Sequence, residues 1–121
     1  MDTPYLEEFI RRLQLDDGTD VAADIHPAGA AMVTWHETGI DHPLVVVVHE
    51  RDLAAAVADI GHSSRELWPD STPDEIGFNL LFVHLAEVIA TRDTTEPLRI
   101  TSEGLQWPGQ RRYHRGHRRL R

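Results

Sequence analysis

The 121-residue chain contains no cysteine, which excludes disulfide bonds, thiolate zinc sites, iron–sulfur clusters and cysteine nucleophiles. Its eight glycines are scattered and never form Gly-x-Gly, so the usual phosphate-binding loops are missing. No serine stands in a Gly-x-Ser-x-Gly sequence, the turn that exposes the nucleophile of many hydrolases. These absences predict that the protein has no cofactor, and they favour a non-catalytic domain over an enzyme.

Long apolar runs are also missing. The most apolar stretch, residues 76–90, is interrupted by Asn79, His84 and Glu87, whereas a membrane-spanning helix needs about 20 apolar residues. The N-terminus carries acidic residues where a secretory signal has a basic start and an apolar run. We therefore expect a soluble cytoplasmic protein with no membrane partner.

Basic residues are scarce and unevenly placed. Twenty acidic residues against twelve arginines, with no lysine, give a formal charge of −8. Six of the arginines follow residue 110, so six arginines against all twenty acids leave residues 1–110 with a charge of −14. The terminal segment holds only one aliphatic residue and cannot form a core. We predict a single domain over residues 1–109 and a flexible Arg/His-rich tail over residues 110–121.

Apolar periodicity predicts an α+β fold of order α-β-β-β-α-α-β, with a C-terminal strand or hairpin. The first helix begins at Thr3, as its cap, and Pro4. Three strands within residues 21–48 form an antiparallel meander, because their connections are too short for parallel crossovers. The last strand contains the run Val45–Val48, which is apolar on both faces and therefore predicts a central strand covered on both sides.

Two helices follow the meander. The first ends at Gly61, a residue typical of helix C-termini. The second begins at Pro73, where Thr72 and Glu75 have the spacing of a capping box, and continues to about Thr91. This long helix is apolar on nearly all sides, which predicts burial on more than one side. A small domain offers little to cover both sides, so we expect a homodimer through this helix, the sheet face, or both.

The densest group of metal-ligand residue types is His36, Asp41 and His42, with Glu37 and the pair His49-Glu50 nearby. His36 and His42 flank a predicted turn, so their rings are able to approach across a strand pair. Imidazole and carboxylate ligands suit zinc or nickel. The spacing matches no established ligand motif, and polar residues at a hairpin tip are commonly just solvated. Both interpretations stay open.

His84 and Glu87 lie three residues apart on the long helix and so share a face. Such a pair in an apolar helix is able to act as a general base with its orienting carboxylate, or as two metal ligands. It is also typical of the one polar stripe on a mostly buried helix. If the helix buries His84, desolvation favours its neutral form.

The tail provides a candidate partner-binding segment of six arginines, which are Arg111, Arg112, Arg115, Arg118, Arg119 and Arg121. Clustered arginines contact phosphates, which indicates weak and salt-dependent association with nucleic acid. The acidic body repels phosphate, so the competing hypothesis is a solvated tail that folds back loosely on that body.

The sequence as a whole predicts a small non-catalytic binding or regulatory domain, homodimeric, with a possible further protein partner. A small metal-dependent protein or enzyme built on the His and carboxylate groups is the alternative. Weak nucleic-acid association through the tail is a further alternative. None of these interpretations names a ligand or a pathway.

Deleting residues 110–121 should leave the fold intact, because the segment has almost no apolar surface to pack. We expect the thermal unfolding midpoint to change by less than about 5 °C, which corresponds to roughly 1 kcal/mol for a domain of this size. A larger decrease, measured by circular dichroism, would show that the tail packs specifically against the body.

Overall fold

A computed structural model describes residues 2–15, 19–37, 43–91 and 96–106. It contains three α-helices and five strands, with a short 3-10 turn (Arg65–Leu67) between the last two helices. In chain order they are α1 (Pro4–Gln14), β1 (Thr19–Ile25), β2 (Ala30–Glu37), β3 (Leu44–His49), α2 (Glu50–Ser64), α3 (Pro73–Thr91), β4 (Leu98–Thr101) and β5 (Gly104–Gln106). The predicted α+β class is confirmed. The predicted boundary at residues 109 and 110, and the tail beyond it, lie outside the described residues.

The strands form one mixed sheet in the order β1-β2-β3-β4-β5. The predicted antiparallel meander β1-β2-β3 is confirmed, but it is part of a five-stranded sheet that also contains the C-terminal hairpin. Strand β4 joins the free edge of β3 in parallel, and β5 returns antiparallel to β4 as a hairpin. A parallel neighbour needs a long crossover, and α2 with α3 supplies it. The order is therefore α-β-β-β-α-α-β-β.

Strand β3 lies at the centre of the sheet, as its valine run predicts. Leu44, Val46 and Val48 point toward the helices and are buried. Val45 and Val47 point to the opposite side and are only half-buried. The prediction that β3 is covered on both sides is therefore wrong within the described chain, because the apolar side chains of all three helices belong to one core on one side of the sheet.

The first turn of α1 is held by the carboxylate of Glu50, the first residue of α2. Its two oxygens accept hydrogen bonds from the backbone N–H groups of Tyr5 (3.1 Å) and Leu6 (2.9 Å). Thr3 stands at the predicted cap position, but its hydroxyl donates to Glu7 (3.3 Å) instead of accepting from the helix. Glu50 is buried, and its own N–H donates to the carbonyl of Gly29 (2.8 Å) in the β1–β2 turn. One residue therefore joins three segments of the chain.

Helices α2 and α3 touch through two glycines. A Cβ atom on Gly61 would lie 1.9 Å from the carbonyl oxygen of Pro73, and one on Gly77 would lie 2.1 Å from that of Val57. The prediction that Gly61 ends α2 is wrong, because the helix continues through it to Ser64. Gly61 instead allows the backbones of α2 and α3 to approach closely, because it has no side chain to separate them.

Helix α3 begins as predicted. The N–H of Thr72 donates to Glu75 Oε1 (3.0 Å), and the N–H of Glu75 donates to Thr72 Oγ1 (3.2 Å), which confirms the capping box. Phe78, Leu81 and Leu85 enter the core. The far side of the helix is exposed, with the side chain of Val83 53% accessible. The described chain therefore covers one side of α3, not two.

Replacing Glu50 with alanine should lower the free energy of unfolding by about 2–3 kcal/mol, because two N–H groups of α1 lose a charged acceptor. The matched control is Asp52→Ala, which removes an acid from the same first turn of α2 but makes no hydrogen bond to α1 among the described residues. Urea unfolding measures both variants. If both variants lower the free energy of unfolding by the same amount, Glu50 acts through the dipole of α2 and not as the cap of α1.

Candidate functional site

The predicted pair His84 and Glu87 lies on the exposed side of α3, next to Val83. Both side chains are exposed, so the helix does not bury His84. The reason is that α1 and α2 pack on the opposite side of α3, through Phe78, Leu81 and Leu85. The pair therefore faces outward, without the enclosed surroundings that a general base uses.

The predicted metal group is only partly within the described residues. His36 lies near the end of β2, opposite Asp20 of β1 in the sheet register, and is exposed. Asp41 and His42 lie outside the described residues, as do all six tail arginines. Across residues 2–15, 19–37, 43–91 and 96–106, the structure brings together no group of three or more potential metal ligands. The proposed ligand set is therefore not assembled by this part of the chain.

His49 has a structural role that its sequence position does not reveal. Its Nδ1 atom accepts the N–H of Arg51 (3.1 Å) and so caps α2, while Nε2 lies 3.0 Å from the carbonyl oxygen of Ala28. These partners fit a neutral ring with its proton on Nε2, as inferred from the hydrogen bonds. Both ring nitrogens are engaged by the backbone, which removes His49 from the candidate metal ligands.

A shallow cleft of about 280 Å³ separates α1 from the start of α3. The ring of Phe78 stacks on that of Tyr5, with 5.9 Å between the ring centroids, and the guanidinium of Arg12 lies over the Phe78 ring, 4.9 Å from its centroid. The Tyr5 hydroxyl donates to Asp74 (2.8 Å), and Arg12 donates to Asn79 (2.9 Å). These groups bind one another across the two helices, so the cleft is a helix–helix contact more than an open ligand site.

Hydrogen bonds around the cleft shift the pKa values of Tyr5 and Glu8. The bond from Tyr5 to Asp74, with burial adding to it, raises the pKa of the Tyr5 phenol above 10.0. Bonds from Arg11 (2.6 Å) and Arg12 (2.7 Å) lower the pKa of Glu8 from 4.5 to about 2. Both shifts stabilise the charge state that these groups have at neutral pH, which is the behaviour of a structural network.

The second candidate is the side of the sheet away from the helices, which we name the outer face. Cross-strand register aligns one residue from each strand in a row across it. In order from β1 to β5, the row is Asp24, Met32, Val47, Arg99 and Gln106. Met32 is 53% accessible and Val47 is half-buried, although both lie in the interior of the sheet.

The outer face has an apolar centre with charges on either side. A neighbouring row places Ala22, Thr34 and Val45 beside the first. Asp20 and Asp24 mark the β1 side of the face, while Arg99 of β4 lies on the other side. Among the described elements, every helix contributes to the core on the opposite side. The outer face is therefore the largest continuous part of the sheet left without cover by the described chain.

Sequence reasoning allowed a sheet-face interface but did not identify these residues. Successive residues of a strand point to opposite sides of the sheet, so the exposed Met32 lies next to the buried Val33 in β2. In the same way, the exposed Arg99 lies between the buried Leu98 and Ile100 in β4. Those local signals show which residues share a face of one strand. They do not show that four segments align in a row, because this depends on the register between strands.

Comparison with known proteins finds no matching family model, no matching curated protein and no matching solved structure. No described helix is long and apolar enough to cross a membrane. The functional conclusion therefore depends on the surfaces themselves.

The Glu8 network should make part of the stability pH-dependent. The folded-state pKa of Glu8 lies below its unfolded value, so the stabilisation is present above about pH 4.5 and is lost as the pH falls toward 2. The side chain is 30% accessible, and solvent screening limits the effect to less than about 1 kcal/mol. Glu8→Gln should therefore lose less stability than the unchanged protein between pH 5 and about 2 in urea unfolding.

The control for this experiment is Glu66→Gln, which removes an exposed carboxylate that has no ion pair in the described part of the chain. It should keep the pH profile of the unchanged protein. A Glu8→Gln profile identical to that of the control would show that the two arginines do not stabilise the fold through Glu8.

Proposed function

We propose that this protein is a small non-catalytic interaction domain that forms a homodimer through the outer face of its sheet. The observation that carries the proposal is the apolar centre of that face, formed by Met32, Val45 and Val47. Contiguous exposed apolar surface is uncommon on soluble monomers and marks interaction sites. A second copy of the chain carries the same apolar surface, and two-fold dimers are the commonest assembly of soluble homo-oligomers.

The dimensions of the sheet are adequate for a small interface. The strands are about 4.8 Å apart and range from eight residues in β2 to three in β5, so at about 3.3 Å per residue they make a face of about 450 Å². Two such faces bury about 900 Å², which is the size of a weak or transient interface. On the helical side, the inward-facing strand residues already lie in the core, while Leu67, Trp68 and Val83 are exposed.

The exposed side of α3 is the competing surface. It carries Val83, but His84 and Glu87 stand beside this valine and are exposed. Charged and polar neighbours make that side costlier to desolvate than the Met32–Val47 centre. The alternative metal-dependent function depends on His36, Asp41 and His42 together, and it stays a prediction because Asp41 and His42 lie outside the described residues.

Light scattering on the unchanged protein should give a mass near twice the chain mass of 13.7 kDa. Met32→Arg should shift the protein toward monomer, because a charge is then buried at the centre of the interface. The matched control is Val83→Arg on α3, where the residue has the same accessibility of 53%. We expect the control to stay dimeric.

Three results bear on this proposal. A monomeric mass for the unchanged protein at micromolar concentration would contradict the homodimer. A monomeric Val83→Arg variant with a dimeric Met32→Arg variant would place the interface on α3 and overturn the assignment to the sheet. Circular dichroism of both variants must match the unchanged protein, and a second outer-face variant, Val47→Arg, replaces Met32→Arg if that chain fails to fold.

A further inference from the structure

The charges on the outer face are separated in one direction. Asp24 on β1 and Arg99 on β4 belong to the same cross-strand row, with Met32 and Val47 between them. Three strand spacings separate Asp24 from Arg99, which is about 14 Å. They cannot pair within one chain, and neither forms an ion pair in the part of the chain that the structure describes. Both side chains are exposed.

Two sheets that pack face to face around a two-fold axis have two simple arrangements. If the axis runs across the strands, β1 lies over the partner's β1, and the acids Asp20 and Asp24 face the same acids. If the axis runs along β3, the two sides exchange, so that β1 lies over the partner's β5 and β2 over its β4. Like charges facing each other are costly, and opposite charges favour association and fix the register. The charge pattern therefore selects the second arrangement.

The axis along β3 also satisfies the distances. A rotation about this axis does not change the position of a residue along the strand direction. Asp24 of one copy therefore lies opposite the cross-strand row of the other copy that contains Arg99. The two residues are then offset by one strand spacing, about 5 Å, across a gap of about 10 Å between the sheets. A carboxylate and a long guanidinium side chain span that separation together. Val45 and Val47 lie on the axis, where each faces its own copy.

We infer that the two copies are related by a two-fold axis along β3, and that Asp24 of each copy pairs with Arg99 of the other. This inference rests on the homodimer proposed above and adds the orientation of the copies and the residues that determine it. Each dimer contains the pair twice, because the contact is repeated by symmetry. The pairs flank the apolar centre, and they exclude the arrangement in which acid faces acid.

Complementary charge reversal tests this pairing. Asp24→Arg places two arginines together at both sites of its homodimer, and Arg99→Asp places two acids together. Each variant alone should therefore dimerise at least about tenfold more weakly than the unchanged protein. A mixture of the two variants restores an opposite pair at both sites, so a heterodimer should form with affinity close to that of the unchanged protein. Native mass spectrometry distinguishes the heterodimer by its mass.

Two controls separate pairing from net charge. Asp59→Arg and Arg65→Asp make the same changes at exposed positions on the helical side. Each should dimerise like the unchanged protein, and their mixture should show no preference for the heterodimer. All four substitutions are at exposed residues, and circular dichroism verifies that each chain is folded.

The possible failures are distinguishable. If the unchanged protein is a dimer and the Asp24→Arg and Arg99→Asp variants dimerise equally well, or fail to prefer each other, the axis along β3 is wrong while the homodimer stands. If the unchanged protein is a monomer, the homodimer is wrong and the pairing with it. Preference for the heterodimer in this pair alone supports the inference.

Discussion

The position of α1 depends on the carboxylate of Glu50. The first turn of any helix has N–H groups without partners inside the helix, and burying them unpaired is costly. In α1 two of these groups bind Glu50, which begins α2 directly after β3. The carboxylate therefore holds α1 on the same side of the sheet as α2. From there α1 contributes Leu6, Phe9 and Leu13 to the core, so this polar contact and the apolar packing of α1 together cover the sheet.

The same arrangement explains why no helix in the described part of the chain covers the outer face. Strands β3 and β4 are parallel neighbours, and their connection contains both α2 and α3. These two helices pack against each other through Gly61 and Gly77, so they stay on one side of the sheet. With α1 fixed there by Glu50, all three helices share one core. A central strand that is apolar on both sides therefore has a covered side and a side available to another molecule.

The features that could be predicted from sequence were those set by neighbouring residues. The capping box of Thr72 and Glu75, the start of α3 at Pro73 and the antiparallel meander all depend on contacts within a few residues or on short connections. The features that were missed depend on distant partners. Gly61 has the local signature of a helix end, but its role is set by Pro73 across the helix pair. Glu50 caps a helix that begins 46 residues earlier, which no local pattern indicates.

The candidate interface depends on features of both kinds, those set by neighbouring residues and those set by distant partners. That β3 is apolar on two sides is evident from its valines, and this alone predicts a second covered surface. Which residues surround that surface follows only from the register, which brings Asp24 and Arg99 into one row on opposite sides of the valines. A surface with acid on one side and base on the other is complementary to itself when a two-fold axis exchanges those sides. The separation of charge that prevents pairing within one chain is therefore the property that makes a second copy a suitable partner.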